Sequence, residues 1–263
     1  MKPMDALDFT GRSVIVTGGT RGIGAGIAHG FLAAGAQVLV CGRNEPAELP
    51  SADGRTAQFV GVDVCDPGQA AMLARTAAER FGRLDVVVNN AGGAPYADAA
   101  TASPRLHAKV IALNLIAPLH VAQAANAIMQ DQPGGGAIVM IGSVSGVRPS
   151  PGTAAYGAAK AGLHSLATSL AVEWAPKVRV NSVVVGPALT ERSSVHYGDA
   201  LAEVSRTVPL GRMALPQDVA SACLFLASRL ASYISGAALT VHGGGERPEY
   251  LAAVEDAAYP AQK

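Results

Sequence analysis

The stretch PGTAAYGAAKAG, residues 151–162, places a phenol and an ammonium four positions apart, at Tyr156 and Lys160. On a helix, side chains at that spacing share one face, and a nearby cation favours the ionised phenol. Such a phenol could give or take a proton near neutral pH; a solvated helix face without chemistry is the alternative. Thirteen positions upstream, Ser143 ends an apolar run, where its hydroxyl could orient a substrate oxygen or simply serve a turn. Asn114 lies inside a long helical pattern. Asparagine is a poor helix former, so it needs a role there or marks a bent helix.

The elements that must position these residues alternate along the chain. Apolar runs at 12–19, 36–42, 57–64, 84–92, 136–143, 178–185 and 237–244 read as strands. Between them lie helical stretches, among them Ile23 to Ala34, LHAKVIALNLIAPLHVAQAANAIMQ, the helix of Tyr156, and PQDVASACLFLAS. Continuous Val/Ile runs followed by helices mark strands buried on both faces by crossover helices. The expected fold class is α/β: a Rossmann-type doubly wound parallel sheet of about seven strands with helices on both faces. Ligands of such sheets bind at the carboxyl ends of the strands.

TGGTRGIG, residues 17–24, joins the first strand to the first helix. Gly18 suits the tight turn, Gly22 lets backbone N–H groups approach a pyrophosphate, and Gly24 lets the helix pack closely on the sheet. With Thr20, Arg21 and Ile23 this loop is a candidate dinucleotide site. The second strand ends in VLVCGRN, without the carboxylate that would hold a ribose 2′-hydroxyl. Arg43 and Arg21 instead offer guanidinium groups to a 2′-phosphate, so NADP(H) is the expected cofactor and NAD(H) remains possible. Either arginine could equally point into water. Asp63, with Val64 beside it, ends the third strand, where the carboxylate could accept from an adenine amino group or cap the next helix.

The chain has 263 residues, with 20 Lys plus Arg against 20 Asp plus Glu. Zero net charge leaves no broad field for nucleic acid or an anionic membrane. The length, without a linker-like break, suggests one domain over 1–263, with a C-terminal tail from about 247. Cys41, Cys65 and Cys223 are too scattered for a disulfide framework or a zinc site. They read as buried thiols in a reducing cytoplasm. The N-terminus lacks a signal-peptide core, no run approaches the roughly 20 apolar residues of a membrane span, and no HExxH-like cluster suggests a metal.

With TGGTRGIG, NNAG (89–92), Asn114 in ALNL, Ser143 in IGSVSG, YGAAK (156–160) and VRVNS (178–182) in one register, the chain resembles the short-chain dehydrogenase/reductase family from about Thr10 to Gly244. The resemblance implies a catalytic set of Asn114, Ser143, Tyr156 and Lys160. Tyr156 would be the acid/base for a carbonyl or alcohol oxygen. Lys160 would lower its pKa and reach the nicotinamide ribose; in the family Asn114 holds a relay water. Asn89, Asn90, Ala91 and Gly92 should line the cofactor floor. Where the family usually has Pro-Gly after the sixth strand, this chain has Val185 and Gly186, then Pro187. The loop should still pass the nicotinamide through Gly186 and Leu189, with Thr190 near the pyrophosphate.

A substrate lid is expected near 189–212, with Glu191, Arg192, His196 and Tyr197 giving it a polar lining. Arg148 or Arg192 could bind a phosphate or carboxylate of a thioester carrier; surface exposure is the alternative. These features suggest an NADP(H)-dependent oxidoreductase interconverting a ketone and a secondary alcohol, with a 3-oxoacyl thioester as a candidate substrate. Two alternatives stand beside it: an NAD-dependent dehydrogenase of a hydroxyacyl-CoA or sterol-derived alcohol, and a non-catalytic dinucleotide-binding regulatory protein. The resemblance also suggests a homotetramer packed through small-residue helices.

Overall fold

The computed structural model describes residues 6–191, 193 and 197–246. The lid residues Arg192 and His196 and the tail expected from about 247 lie outside the described residues.

Strands β1 (Ser13–Thr17), β2 (Gln37–Gly42), β5 (Gln58–Gly61), β6 (Val86–Asn89), β7 (Gly136–Ser143), β8 (Val178–Val185) and β9 (Ala238–Val241) form one sheet. Its order is β5-β2-β1-β6-β7-β8-β9, and every pairing is parallel. The expected seven-stranded doubly wound sheet is therefore present. Successive strand residues point to opposite faces, which explains why both must be apolar. Val14, Val16, Val38, Val40, Val139 and Ile141 pack with Phe31 of α1 (Gly22–Ala33) and Cys223 of α7 (Pro216–Ala227). Ile15, Leu39, Val87 and Met140 pack on the other side with residues of α2 (Pro67–Phe81), α4 (Ala117–Asp131) and α5 (Ala154–Glu173).

Three details depart from the sequence reading. A short hairpin, β3 (Ser51–Ala52) and β4 (Arg55–Thr56), precedes β5 and turns at Asp53 and Gly54, both at positive φ. Strand β5 stops at Gly61, so Asp63 and Val64 follow the strand instead of ending it. Asp66, not Asp63, caps α2 by accepting from the Gln69 N–H at 2.9 Å.

The long helix over 106–130 is not uniform either. It runs as α3 (Pro104–Ile111), a π-helical turn over Ala112–Ile116, and α4. Contrary to the expectation that no run could span a membrane, the continuous stretch Pro104–Asp131 is long and apolar enough by length and composition. Its Val121, Ala122, Ala125 and Met129 are fully buried in the core, as a helix packed on a sheet requires.

The cysteines divide. Cys41 and Cys223 are buried, whereas Cys65 is half-buried, and all three are free thiols. Burial pushes the Cys41 thiol up to about 12 and raises Cys223 as well.

Candidate active site

The glycine loop is shaped by the strand ends beside it. Thr17 Oγ1 accepts from the N–H groups of Asn90 and Ala91, both at 2.9 Å. Asn90 Nδ2 donates back to the carbonyls of Thr17 at 2.9 Å and Gly18 at 3.2 Å. These bonds lash the β1 exit to the β6 exit. A Cβ on Gly24 would lie 2.2 Å from the Gly18 carbonyl oxygen, so only glycine lets α1 start this close to the loop. Helix α1 starts with no side-chain cap on Arg21 and no acidic residue in its first turn. Its first N–H groups thus remain suited to an anion.

Thr190 lies across this helix start, its Cγ2 at 3.6 Å from the position of a Cβ on Gly22. Glu191 Oε2 stands 3.9 Å from the same point. The 186–190 segment is held by Gly186 N–H donating to Val241 O at 3.0 Å and Leu189 N–H donating to Ala214 O at 2.8 Å. Gly186 packs so close to His242 that a Cβ would meet the His242 Cβ at 2.7 Å. At the end of β2, Thr20 Oγ1 lies 3.8 Å from a Cβ position on Gly42. Arg21 and Arg43 are exposed beside it. Arg43 is near enough to Cys65 to lower its thiol pKa, although burial raises that pKa overall.

Some sequence candidates are turned away from this surface. Asn89 is buried, donating to Pro118 O at 3.2 Å and contacting Met140 Sδ, because it is the last inward-facing position of β6. It does not line the floor. Asp63 Oδ1 accepts from the Cys65 N–H at 3.0 Å, and the Val64 side chain belongs to the core. Ile23 packs at the edge of the core under α1.

The catalytic candidates do converge. Ser143, the last residue of β7, engages the Tyr156 phenol, and Lys160 Nζ lies 5.6 Å from the centre of the Tyr156 ring. Lys160 is buried and donates to Ile141 O at 2.7 Å. A Cβ on Gly92 would meet Asn114 Oδ1 at 2.6 Å and Lys160 Nζ at 3.4 Å. The π-helical turn presents the fully buried Asn114 toward the β6 exit. Its Oδ1 accepts from the Gly93 N–H at 2.8 Å, and its Nδ2 donates to Gly93 O and Val110 O, each at 2.9 Å. Both amide hydrogens are thus engaged by backbone, which makes the side chain a strut for the Gly92–Gly93 floor.

The electrostatics correct one expectation. Burial raises the Tyr156 pKa, opposed by the hydrogen bond with Ser143 and reinforced by Tyr197. The net direction is set by desolvation of the phenol and not by the lowering expected from Lys160. Burial itself depresses Lys160 from 10.5 to about 8.

The segments expected from the sequence as further substrate walls, Ala94 to Tyr96 and Val144, Val147 and Arg148 after Ser143, make contacts that spacing alone does not predict. Ala97 N–H donates to Gly152 O at 2.8 Å, and Tyr96 covers Gly152. Arg148 pairs with Glu246, and both influence the half-buried Tyr197. Thr17 and Gly93 lie in the TGGTRGIG and NNAGG stretches without a role assigned to either. A hydroxyl directly before the glycine loop is a visible signal for Thr17, whereas Gly93 has none beyond its place after NNAG. Among the described residues, no group of three or more His, Cys, Asp or Glu could hold a metal ion.

An uncapped helix start, a glycine cradle and a strand end without a carboxylate fit a dinucleotide. Comparison with known proteins agrees. A family model described as enoyl-(acyl carrier protein) reductase matches residues 18–246. The 3-oxoacyl-[acyl-carrier-protein] reductase of Chlamydia muridarum is 38% identical over 240 residues, covering 89% of this chain and 96% of that protein. An L-rhamnose 1-dehydrogenase (NAD(P)(+)) of Azotobacter vinelandii is 36% identical over 245 residues, with 89% and 96% covered. The crystal structure of a short-chain type dehydrogenase/reductase from Mycobacterium marinum superposes with a TM-score of 0.86 at 32% identity, covering 93% of this chain and 99% of that one. With the fold, the glycine loop and the Ser143, Tyr156 and Lys160 cluster already in place, the chain belongs to the short-chain dehydrogenase/reductase family, NAD(P)-dependent oxidoreductases that act between CH–OH and keto groups.

Proposed function

We propose that the protein is an NADP(H)-dependent oxidoreductase that interconverts a ketone and a secondary alcohol, with 3-oxoacyl thioesters as the substrate class to test first. The observation that carries this reading is the convergence of Ser143, Tyr156, Lys160 and Asn114 beside the glycine loop. The loop Gly18, Thr20, Arg21, Gly22, Ile23 and Gly24 would hold the dinucleotide with Asn90, Ala91, Gly92, Gly186, Leu189 and Thr190. Asp63, whose Oδ1 accepts from the Cys65 N–H, would accept from the adenine amino group through its carboxylate, and Val64, whose side chain is in the core, would reach the adenine through backbone. A bound nicotinamide would supply or accept the hydride. Tyr156 gives its phenolic proton to the substrate oxygen on reduction and takes it on oxidation. Ser143 holds that oxygen by a hydrogen bond, while the Lys160 ammonium stabilises the phenolate. Asn114 keeps Gly92 and Gly93 in place under the reacting groups.

The cofactor preference rests on Arg43 and Arg21 flanking a β2 end that has no carboxylate. A single chain domain with a lid near 189–212 fits this use of the fold. Free thiols at Cys41, Cys65 and Cys223 favour a cytoplasmic setting. A homotetramer would cover the exposed Ile116 beside α4 and Val172 on α5. Parallel fluorescence titrations with NADPH and NADH test the reading. Tighter NADPH binding is expected; preference for NADH moves the function to the NAD-dependent dehydrogenase, and binding of neither overturns it.

A further inference from the structure

A small cavity lies beside Tyr156. Ala94 and Ala97 of the loop after β6, Leu106, His107 and Val110 of α3, and Tyr156 near the start of α5 bound it. Its volume is about 20 Å³. That is room for a water-sized or methyl-sized group, not for a chain. Among the described residues, none of its wall comes from the proposed 189–212 lid or the helix in it, α6 (Leu201–Thr207). The size of the cavity is therefore set by α3, the start of α5 and the loop after β6.

The cavity shares its walls with the reacting groups. Tyr156 is itself part of the lining. The Val110 carbonyl accepts from Asn114 Nδ2 at 2.9 Å, and both the N–H and the carbonyl of Gly93, next to Ala94, bond to the same Asn114. A Cβ on Gly92 would lie 3.4 Å from Lys160 Nζ, so the strip Gly92–Ala94 runs from the ammonium to the cavity. On the opposite side the Ala97 N–H donates to Gly152 O at 2.8 Å and closes the loop after β6 onto the turn before α5.

The wall suits an alkyl group. The Tyr156 hydroxyl is engaged by Ser143, and the Thr153 hydroxyl by Ser150 Oγ at 2.7 Å. The half-buried His107 is the remaining polar side chain of the lining. A charged substituent would lose its water there to alanine, leucine and valine, which return no hydrogen bond, whereas a methyl or ethyl group gains by burial.

In the proposed reaction Tyr156 passes its proton to the substrate oxygen, and the carbon bearing that oxygen carries two further substituents. We propose that the cavity seats the smaller of the two, so that the substrates are methyl and ethyl ketones and the corresponding alcohols, with Leu106 setting the limit on chain length. This inference rests on the ketone and alcohol reading above and narrows its thioester class to 3-oxobutanoyl and 3-oxopentanoyl compounds.

The test uses the ethyl esters of 3-oxobutanoate, 3-oxopentanoate and 3-oxohexanoate, which place methyl, ethyl and propyl beside the reacting carbon, with the reduced cofactor that binds more tightly. In the wild-type protein kcat/KM should fall on the order of tenfold from ethyl to propyl. Leu106→Ala should raise the propyl-to-ethyl ratio on the order of tenfold without changing cofactor binding, and the milder Leu106→Val should move it the same way. A wild-type profile that is flat from methyl to propyl, or a ratio unchanged in both variants, overturns the inference. Saturation-transfer NMR with butan-2-one is measured on the cofactor complexes of the wild-type protein and Ala97→Leu, whose larger side chain fills the cavity. If no ester is reduced, the ketone reading fails and this binding decides the cavity by itself. Transfer that Ala97→Leu abolishes upholds the alkyl seat, and equal transfer, or none in the wild type, refutes it.

Discussion

Lys160 Nζ donates a 2.7 Å hydrogen bond to the carbonyl oxygen of Ile141, two residues before Ser143. The ammonium that the proposed chemistry requires is therefore buried in α5 and tied to β7. Burial depresses its pKa from 10.5 to about 8. Below about pH 8 the folded and unfolded states both carry the proton, and the buried charge costs stability in full. Between about 8 and 10.5 the unfolded state binds more protons, so stability rises with pH as the cost is relieved. Lys160→Met should raise the stability of the cofactor-free protein at pH 7 by about 1–3 kcal/mol, with the loss of the Ile141 bond offsetting part of the gain. The same variant should lose activity. Urea unfolding at pH 7 and pH 10 checks this: the gain should shrink at the higher pH, and a destabilised variant at pH 7 would contradict it.

Tyr156→Phe should leave dinucleotide binding within about threefold while lowering kcat by about 10²–10⁴, the usual range for a positioned general acid. Fluorescence titration and steady-state rates on one preparation separate the two effects. Retained turnover would remove Tyr156 from the mechanism.

Asn114 serves three backbone groups at once, two on Gly93 and one on Val110. Asn114→Leu keeps the volume and deletes all three bonds. Leaving buried backbone groups unpaired should cost about 1–3 kcal/mol or more. The midpoint of thermal unfolding should fall, and the cofactor should bind more weakly because the Gly92–Gly93 floor is released. A normal melting temperature with lost activity would instead show a role in the relay alone.

Arg43→Asp should weaken NADPH binding and favour NADH, since a carboxylate repels a 2′-phosphate and accepts from a 2′-hydroxyl. An unchanged cofactor ratio would show that the exposed guanidinium does not meet the phosphate.

The backbone of Gly142 faces the His164 ring: a Cβ there would lie 2.2 Å from Cε1. Gly142→Ala should therefore destabilise by about 1–3 kcal/mol through overpacking. Adding His164→Ser should recover most of the loss, because it removes the colliding ring. Independent, additive losses in the double variant would show that the two residues do not share the space.

The sequence by itself determined the sheet and the glycine loop, and it singled out Ser143, Tyr156 and Lys160 as the candidate reacting groups. Val/Ile runs such as 12–19 and 136–143 can be satisfied only by burial on both faces, and Tyr156 and Lys160 share a helix face by spacing alone. These are local consequences of side-chain type and period. The tertiary structure decided where polar groups find partners. Asn89 and Asn90 are neighbours of the same type, yet the alternation of β6 buries one and aims the other at the glycine loop. Asn114 reads as a poor helix former, and only its meeting with Gly93 across 21 positions shows what the π-helical turn is for. Arg148 reads as a free cation because its partner, Glu246, is 98 positions away. Hydrogen bonds and ion pairs depend on distances between segments far apart in the chain. No local pattern encodes those distances, and burial, which sets the Tyr156 and Lys160 proton affinities, exists only once the segments have packed.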